Sequence, residues 1–163
     1  MDFSLGGNGI KDFLIFSKLC TNWIFIRRVM EEGRKPRILI TEDDFENQKF
    51  LELFLKRTFD VEICDSESSF HDLLKNSRFD IILMDISLRG KKNGLELTSE
   101  LRKIPEFKKI PVVCLTAHAF KKDKENAMNA GVDVFLTKPV ENNILLSTLL
   151  DLINRKEKTG ENK

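Results

Sequence analysis

A chain of 163 residues with 27 Lys and Arg against 26 Asp and Glu carries a formal net charge of +1. That length suits one domain with room for an appendage, and the balanced charge gives no reason to expect a nucleic-acid surface. Cys20, Cys64 and Cys114 are odd in number and far apart, which matches neither a zinc site nor a disulfide framework and suits small buried hydrophobes in a reducing, cytoplasmic compartment.

Met1 to Gly9 holds three glycines and reads as a loop. Ile10 to Met30 is apolar and aromatic, with Phe16, Leu19, Trp23, Ile26 and Met30 on one helical face. Lys11, Asp12, Lys18, Asn22, Arg27 and Arg28 interrupt it, which argues against a membrane span of ~20 apolar residues. No basic region precedes it and no small-residue cleavage site follows, so a secretory signal is a poor fit. An amphipathic helix that docks on this domain, on a second copy or on a membrane surface competes with a fortuitous extension. The expected layout is an N-terminal extension over 1–35, a folded domain over 36–155 and a charged tail over 156–163.

From Arg37 onward, strand and helix alternate five times. Arg37 to Thr41 reads as a strand that ends in Glu42-Asp43-Asp44. A helix follows over Phe45 to Arg57, with Phe50, Leu51, Phe54 and Leu55 at helical spacing and Asp44 as N-cap. Val61 to Cys64 is a short strand, and Ser66 to Asn76 a helix with Phe70, Leu73 and Leu74 inward. Ile81 to Met84 has no polar residue in four, so it reads as a strand buried on both faces. It stops at Asp85. Leu95 to Lys103 is a helix packed by Leu95, Leu97 and Leu101. Val112 to Thr116 is another buried strand, Lys121 to Ala130 a helix closed by Gly131, and Val134 to Thr137 the last strand. Glu141 to Asn154 closes the domain, packed by Ile144, Leu145, Leu149 and Ile153. This alternation predicts right-handed crossovers and a parallel sheet covered on both faces.

Parallel strands deliver their functional groups at their carboxyl ends. Here those ends offer Glu42, Asp43 and Asp44, then Asp85, Thr116 and Lys138. Carboxylates crowded together repel one another, and a hard divalent cation relieves that cost. Oxygen-only donors favour Mg²⁺. Such an ion would attract phosphate oxygens; Thr116 offers a hydroxyl donor, Lys138 a compact positive charge, and Asp85 a carboxylate able to attack phosphorus. Each residue also has a plainer reading. Asp85 could be a loop cap, Glu42 to Asp44 a charged helix start, Phe135 a core aromatic, and Lys91 and Lys92 a solvated loop tip. His71 and His118 have no metal-site spacing.

With these residues in place, 37–154 resembles the receiver domain of two-component response regulators, over about three quarters of the chain. The matching segments are Ile38-Leu39-Ile40-Thr41-Glu42-Asp43-Asp44, Asp80-Ile81-Ile82-Leu83-Met84-Asp85-Ile86-Ser87-Leu88, Val112-Val113-Cys114-Leu115-Thr116-Ala117-His118-Ala119, and Ala130-Gly131-Val132-Asp133-Val134-Phe135-Leu136-Thr137-Lys138-Pro139. The resemblance implies a flavodoxin-like, doubly wound α/β fold with five parallel strands in the order 2-1-3-4-5. It implies Asp85 as phosphoacceptor, Asp43 as a direct Mg²⁺ ligand with Glu42 acting through water, and the Ser87 backbone carbonyl as a further ligand. Thr116 and Phe135 would be the switch pair. Lys138 would contact the phosphoryl group and precede a cis peptide bond to Pro139.

The implied partners are a histidine kinase or histidine phosphotransfer protein, a downstream protein on the face of the fourth helix, fifth strand and fifth helix, and a possible second copy. The implied role is a signalling module and not an enzyme with its own substrate. The alternative is an interaction module that works mainly through 1–35, with phosphorylation secondary. The pattern departs in carrying Arg89 where the family usually has Pro and in placing Gly94 one residue late; Ser87 and His118 fall where phosphate lifetime is tuned. A haloacid-dehalogenase-type phosphatase would need an Asp two residues after Asp85, where Ser87 stands.

Overall fold

The computed structural model describes residues 34–88, 90–117 and 120–160. The expected N-terminal helix, Cys20, Arg89 and His118 lie outside the described residues. Five strands, β1 (Arg37–Thr41), β2 (Asp60–Cys64), β3 (Ile81–Met84), β4 (Val112–Thr116) and β5 (Val134–Thr137), form one parallel sheet in the order β2-β1-β3-β4-β5. Five helices connect or follow them: α1 (Phe45–Leu55), α2 (Glu67–Asn76), α3 (Gly94–Lys103), α4 (Lys121–Ala130) and α5 (Asn142–Gly160). This is the flavodoxin-like, doubly wound arrangement expected from the alternation.

Burial follows the apolar runs. All residues of β3 and β4 are buried, and β1 is buried after Arg37, while the edge strands β2 and β5 are mostly half-buried. Cys64 and Cys114 lie in this core, and burial pushes both thiols up to about 12. They are packing residues and poor nucleophiles at neutral pH.

Local signals set the helix ends. Asp44 accepts the Asn47 N–H at 2.9 Å, and reciprocal capping boxes open α2 at Ser66 and α3 at Asn93. Gly131 ends α4 with φ +95°, a conformation that costs glycine little.

Three expectations need correction. Ile144 is exposed, because the inward stripe of α5 is Leu145, Leu149, Leu150 and Ile153, and Ile144 sits one step of about 100° off that stripe. Phe50 is exposed for the same reason: Leu51 and Leu55 face the core, and Phe50 stacks on Phe54 at 6.2 Å between ring centroids. Helix α5 also continues to Gly160, past Asn154.

Arg102 ties the far rim of the sheet together. Its guanidinium donates to the carbonyls of Lys108, Ile110 and Gly131 and to Asp133, while Asp133 also accepts the Val112 N–H at 2.8 Å. One side chain thus links α3 to the entry of β4 and to the turn before β5. Charge-assisted bonds of this kind are individually worth about 1.5–3 kcal/mol. Arg102→Met should lower unfolding free energy by about 2–4 kcal/mol, read from urea midpoints. A change within about 0.5 kcal/mol would show that these bonds are replaced by water at no cost.

Candidate functional site

The register of the sheet builds the site. Thr41 pairs with Met84 across β1 and β3, so the next residues, Glu42 and Asp85, leave the sheet side by side. The Asp85 N–H donates to the Thr41 carbonyl at 3.0 Å and approaches Thr41 Oγ1 at 3.3 Å. Thr116 pairs with Thr137 across β4 and β5, and the Lys138 N–H donates to the Thr116 carbonyl at 2.8 Å. Acids and ammonium therefore come to one rim because all five strands run the same way.

The ammonium of Lys138 stands between two carboxylates. It donates to Glu42 Oε2 at 2.7 Å and to Asp85 Oδ2 at 2.8 Å. Glu42 and Asp85 are both buried, with relative exposures of 2% and 7%. The second oxygens also have partners: Glu42 Oε1 accepts the Asp44 N–H at 3.3 Å, and Asp85 Oδ1 accepts the Ser87 N–H at 2.8 Å. Burial by itself would depress the Lys138 pKa. The hydrogen bonds and charges of Asp85 and Glu42 outweigh it, and the net direction is upward.

Of the residues singled out from sequence, Glu42, Asp85 and Lys138 meet directly. Thr116 is buried and joins them through its carbonyl, and Ser87 through its N–H. Asp43 is half-buried and adjacent to Glu42. Phe135 is half-buried against the core cluster and pairs with Cys114 in register, away from the rim. The Lys138–Pro139 bond is cis.

Two buried carboxylates share one ammonium, so the trio retains negative charge, and its exposed edge continues into Asp43. Such an oxygen-only, net-negative set suits a hard divalent cation. Among the described residues, the three-group cluster of acid and histidine ligand atoms lies elsewhere, at Glu67, His71 and Glu100. There the ammonium of Lys92 already sits 2.7 Å from both Glu67 Oε1 and Glu100 Oε1. Lys92 is therefore no solvated loop tip. It fastens the loop after Asp85 to α2 and α3.

Two more contributors were not singled out from sequence as parts of the site. Thr41 braces the Asp85 amide, as described. Gly94 opens α3 against the Asp85 backbone: a Cβ there would fall 2.0 Å from the Asp85 carbonyl oxygen and 2.9 Å from Met84 Cγ. The signal for Gly94 was present as the second glycine of the loop, but its spacing alone names no neighbour.

Comparison with known proteins agrees with this fold. The family model for the response regulator receiver domain matches residues 38–150. The chain belongs to the response regulator receiver domain family. Hybrid signal transduction histidine kinase I of Dictyostelium discoideum is 36% identical over 121 residues, covering 69% of this chain and 7% of that protein. The probable transcriptional regulator ycf29 of Porphyra purpurea is 31% identical over 125 residues, covering 77% of this chain and 59% of that protein. The chain thus spans a small part of the histidine kinase and just over half of the regulator. Among solved structures, the receiver domain of a Pseudomonas aeruginosa sensor histidine kinase, with a magnesium ion coordinated in its active-site cleft, superposes with a TM-score of 0.68 at 30% identity, covering 74% of this chain and 98% of that one.

Gly94→Ala should cost roughly 3 kcal/mol of stability, since backbone must move to admit the methyl, and should shift the Asp85 amide resonance. Unchanged urea midpoints would show that the helix start can slide freely. A second expectation concerns alkaline pH. A lysine whose folded pKa is raised contributes stability that is complete below its unfolded value, near ~10.4, and is lost as pH rises through the higher folded value. The stability difference between wild type and Lys138→Met should therefore shrink as pH rises above about 10. A difference that shrinks between pH 6 and 8 would contradict the geometry.

Proposed function

We propose that Asp85 accepts a phosphoryl group from a phosphohistidine on a histidine kinase or histidine phosphotransfer protein. The observation that carries this is the Lys138 ammonium held 2.8 Å from Asp85 Oδ2 and 2.7 Å from Glu42 Oε2 at the strand ends. In the transfer, a carboxylate oxygen of Asp85 forms a bond to phosphorus as the phosphorus–nitrogen bond breaks, and its electron pair returns to the imidazole. Lys138 turns its charge to the phosphoryl oxygens, and the Thr116 hydroxyl donates to one of them.

The oxygen-only acids fit Mg²⁺: Asp43, Asp85 and the Ser87 carbonyl would hold it directly, and Glu42 would act through water. When bound it neutralises charge on the phosphoryl oxygens. The solved receiver domain with magnesium in its cleft supports this assignment. The chain is a signalling module that assists its own phosphorylation and dephosphorylation and has no separate substrate.

The added charge then draws Thr116 inward, Phe135 follows, and the α4–β5–α5 face changes its affinity for a downstream protein or a second copy. Nucleic acid is not a partner in this reading, and the cytoplasm is its setting. The working layout is an extension over 1–35, the receiver over 36–155 and a tail over 156–163.

Incubation with acetyl phosphate and Mg²⁺ should add one phosphoryl group by intact mass, and beryllofluoride should shift the amides of β4 and α4. Asp85→Asn should remove the label, and Lys138→Met should slow labelling on the order of 100-fold. Equal labelling of Asp85→Asn would refute the assignment.

A further inference from the structure

Asp43 lies on the short connection from β1 to α1, and each of the two peptide groups that flank its Cα is held by a hydrogen bond. The peptide before it carries the Glu42 carbonyl, which accepts from Gln48 Nε2 at 2.7 Å. The peptide after it carries the Asp44 N–H, which donates to Glu42 Oε1 at 3.3 Å. A peptide group is planar, so a bond to its oxygen or its N–H constrains the turn of the whole plane. With both planes constrained, the direction in which the Asp43 side chain leaves the backbone is constrained as well.

The two bonds are not equivalent. The Asp44 bond is the longer, and it depends on the Glu42 carboxylate, whose other oxygen is bonded to Lys138. Any movement of that carboxylate changes it. The Gln48 bond ends on backbone and does not pass through the trio. Gln48 is the fourth residue of α1, its N–H donates to the Asp44 carbonyl at 2.9 Å, and Asp44 caps the same helix at Asn47. The side chain is thus anchored in the first turn of a regular helix. Its amide is also a neutral donor. A Lys or Arg could supply the same bond, but its charge would oppose a cation at Asp43.

We infer that Gln48 is a positioning residue: through the Glu42 carbonyl it sets the aim of Asp43, and so the affinity of the strand-end acids for a divalent cation. The inference rests on the reading of Asp43 and Asp85 as direct Mg²⁺ ligands. In this role Gln48 touches neither the cation nor the phosphoryl group. Its loss weakens cation binding and leaves transfer unchanged once the cation is saturating.

The full chain, as wild type and as Gln48→Met, is titrated with Mg²⁺ while the amide shifts of Asp43 and Ser87 are followed. Methionine has a similar length, suits a helix and donates no hydrogen bond. Groups that orient a metal ligand are typically worth 10–100-fold in affinity, so Gln48→Met should bind Mg²⁺ about 10-fold more weakly. Gln48→Ala favours the helix still more and should show the same loss, which a change in helix stability alone would not produce. Leu53→Ala, exposed on the same helix, should bind within about 2-fold of wild type.

Labelling by acetyl phosphate separates the steps. Gln48→Met should be slow at limiting Mg²⁺ and match wild type within about 2-fold at saturating Mg²⁺. Equal Mg²⁺ affinity in wild type and Gln48→Met overturns the inference, as does labelling that stays slow at saturating Mg²⁺. Absence of any Mg²⁺-dependent shift at Asp43 in the wild type would overturn the Mg²⁺ assignment itself, and the inference with it.

Discussion

One ammonium answers two buried carboxylates. Glu42 and Asp85 could not both stay charged inside the sheet rim without a counter-ion, because burying an unpaired charge is far costlier than any packing gain. Lys138 reaches them from 96 and 53 residues away in the chain. It can do so because the Lys138 N–H extends the sheet by one more bond, to the Thr116 carbonyl, before the chain turns at Pro139. The ion pairs and the last sheet hydrogen bond therefore act as a single fastening across β1, β3, β4 and β5.

That fastening needs a stiff frame. The four-residue buried strand β3 supplies it by fixing the height at which Asp85 emerges. The loop after Asp85 is held at both ends. Ser87 returns an N–H to the Asp85 carboxylate at 2.8 Å, and Gly94 packs its bare Cα against the Asp85 carbonyl. Between them Lys92 is clamped by Glu67 and Glu100. Exposed ion pairs contribute little to stability one at a time. Their effect here is positional, since they fix where the loop runs and therefore which of its N–H groups face the acid.

Residues whose role follows from local pattern were readable in the sequence. The apolar runs of β3 and β4, the cap at Asp44 and the left-handed stop at Gly131 each depend on neighbours a few positions away. The convergence of Glu42, Asp85 and Lys138 was readable only because parallel strands share a direction, which turns strand ends into spatial neighbours. Contacts set by the rotation of a helix or the path of a loop were not readable. Ile144 and Phe50 each miss an inward stripe by one residue, an error that helical spacing alone does not prevent. Lys92 finds its acids on two helices that no short-range rule brings together. Gly94 matters through a clearance of ångströms against a backbone oxygen that the alphabet of residue types does not encode.

A shared counter-ion also couples its partners. Glu42 has no second ammonium within its described contacts, so whatever charge Lys138 gives up at Asp85 it redistributes through the same trio. The Lys138 backbone is bonded to Thr116, the buried end of β4. β4 in turn pairs with β5, where Phe135 faces Cys114 in register. A change of charge at Asp85 thus has a short covalent and hydrogen-bonded route to the β4–β5 edge, whereas its route to the far rim runs through the apolar core around Ile82 and Val113. Charge is weakly screened in the low-dielectric interior, and the polar groups that stand in line are the ones that reorient in answer to it. The polar connections of Asp85 thus run toward β4 and β5, while Arg102 holds the chain just before those same two strands at the other rim.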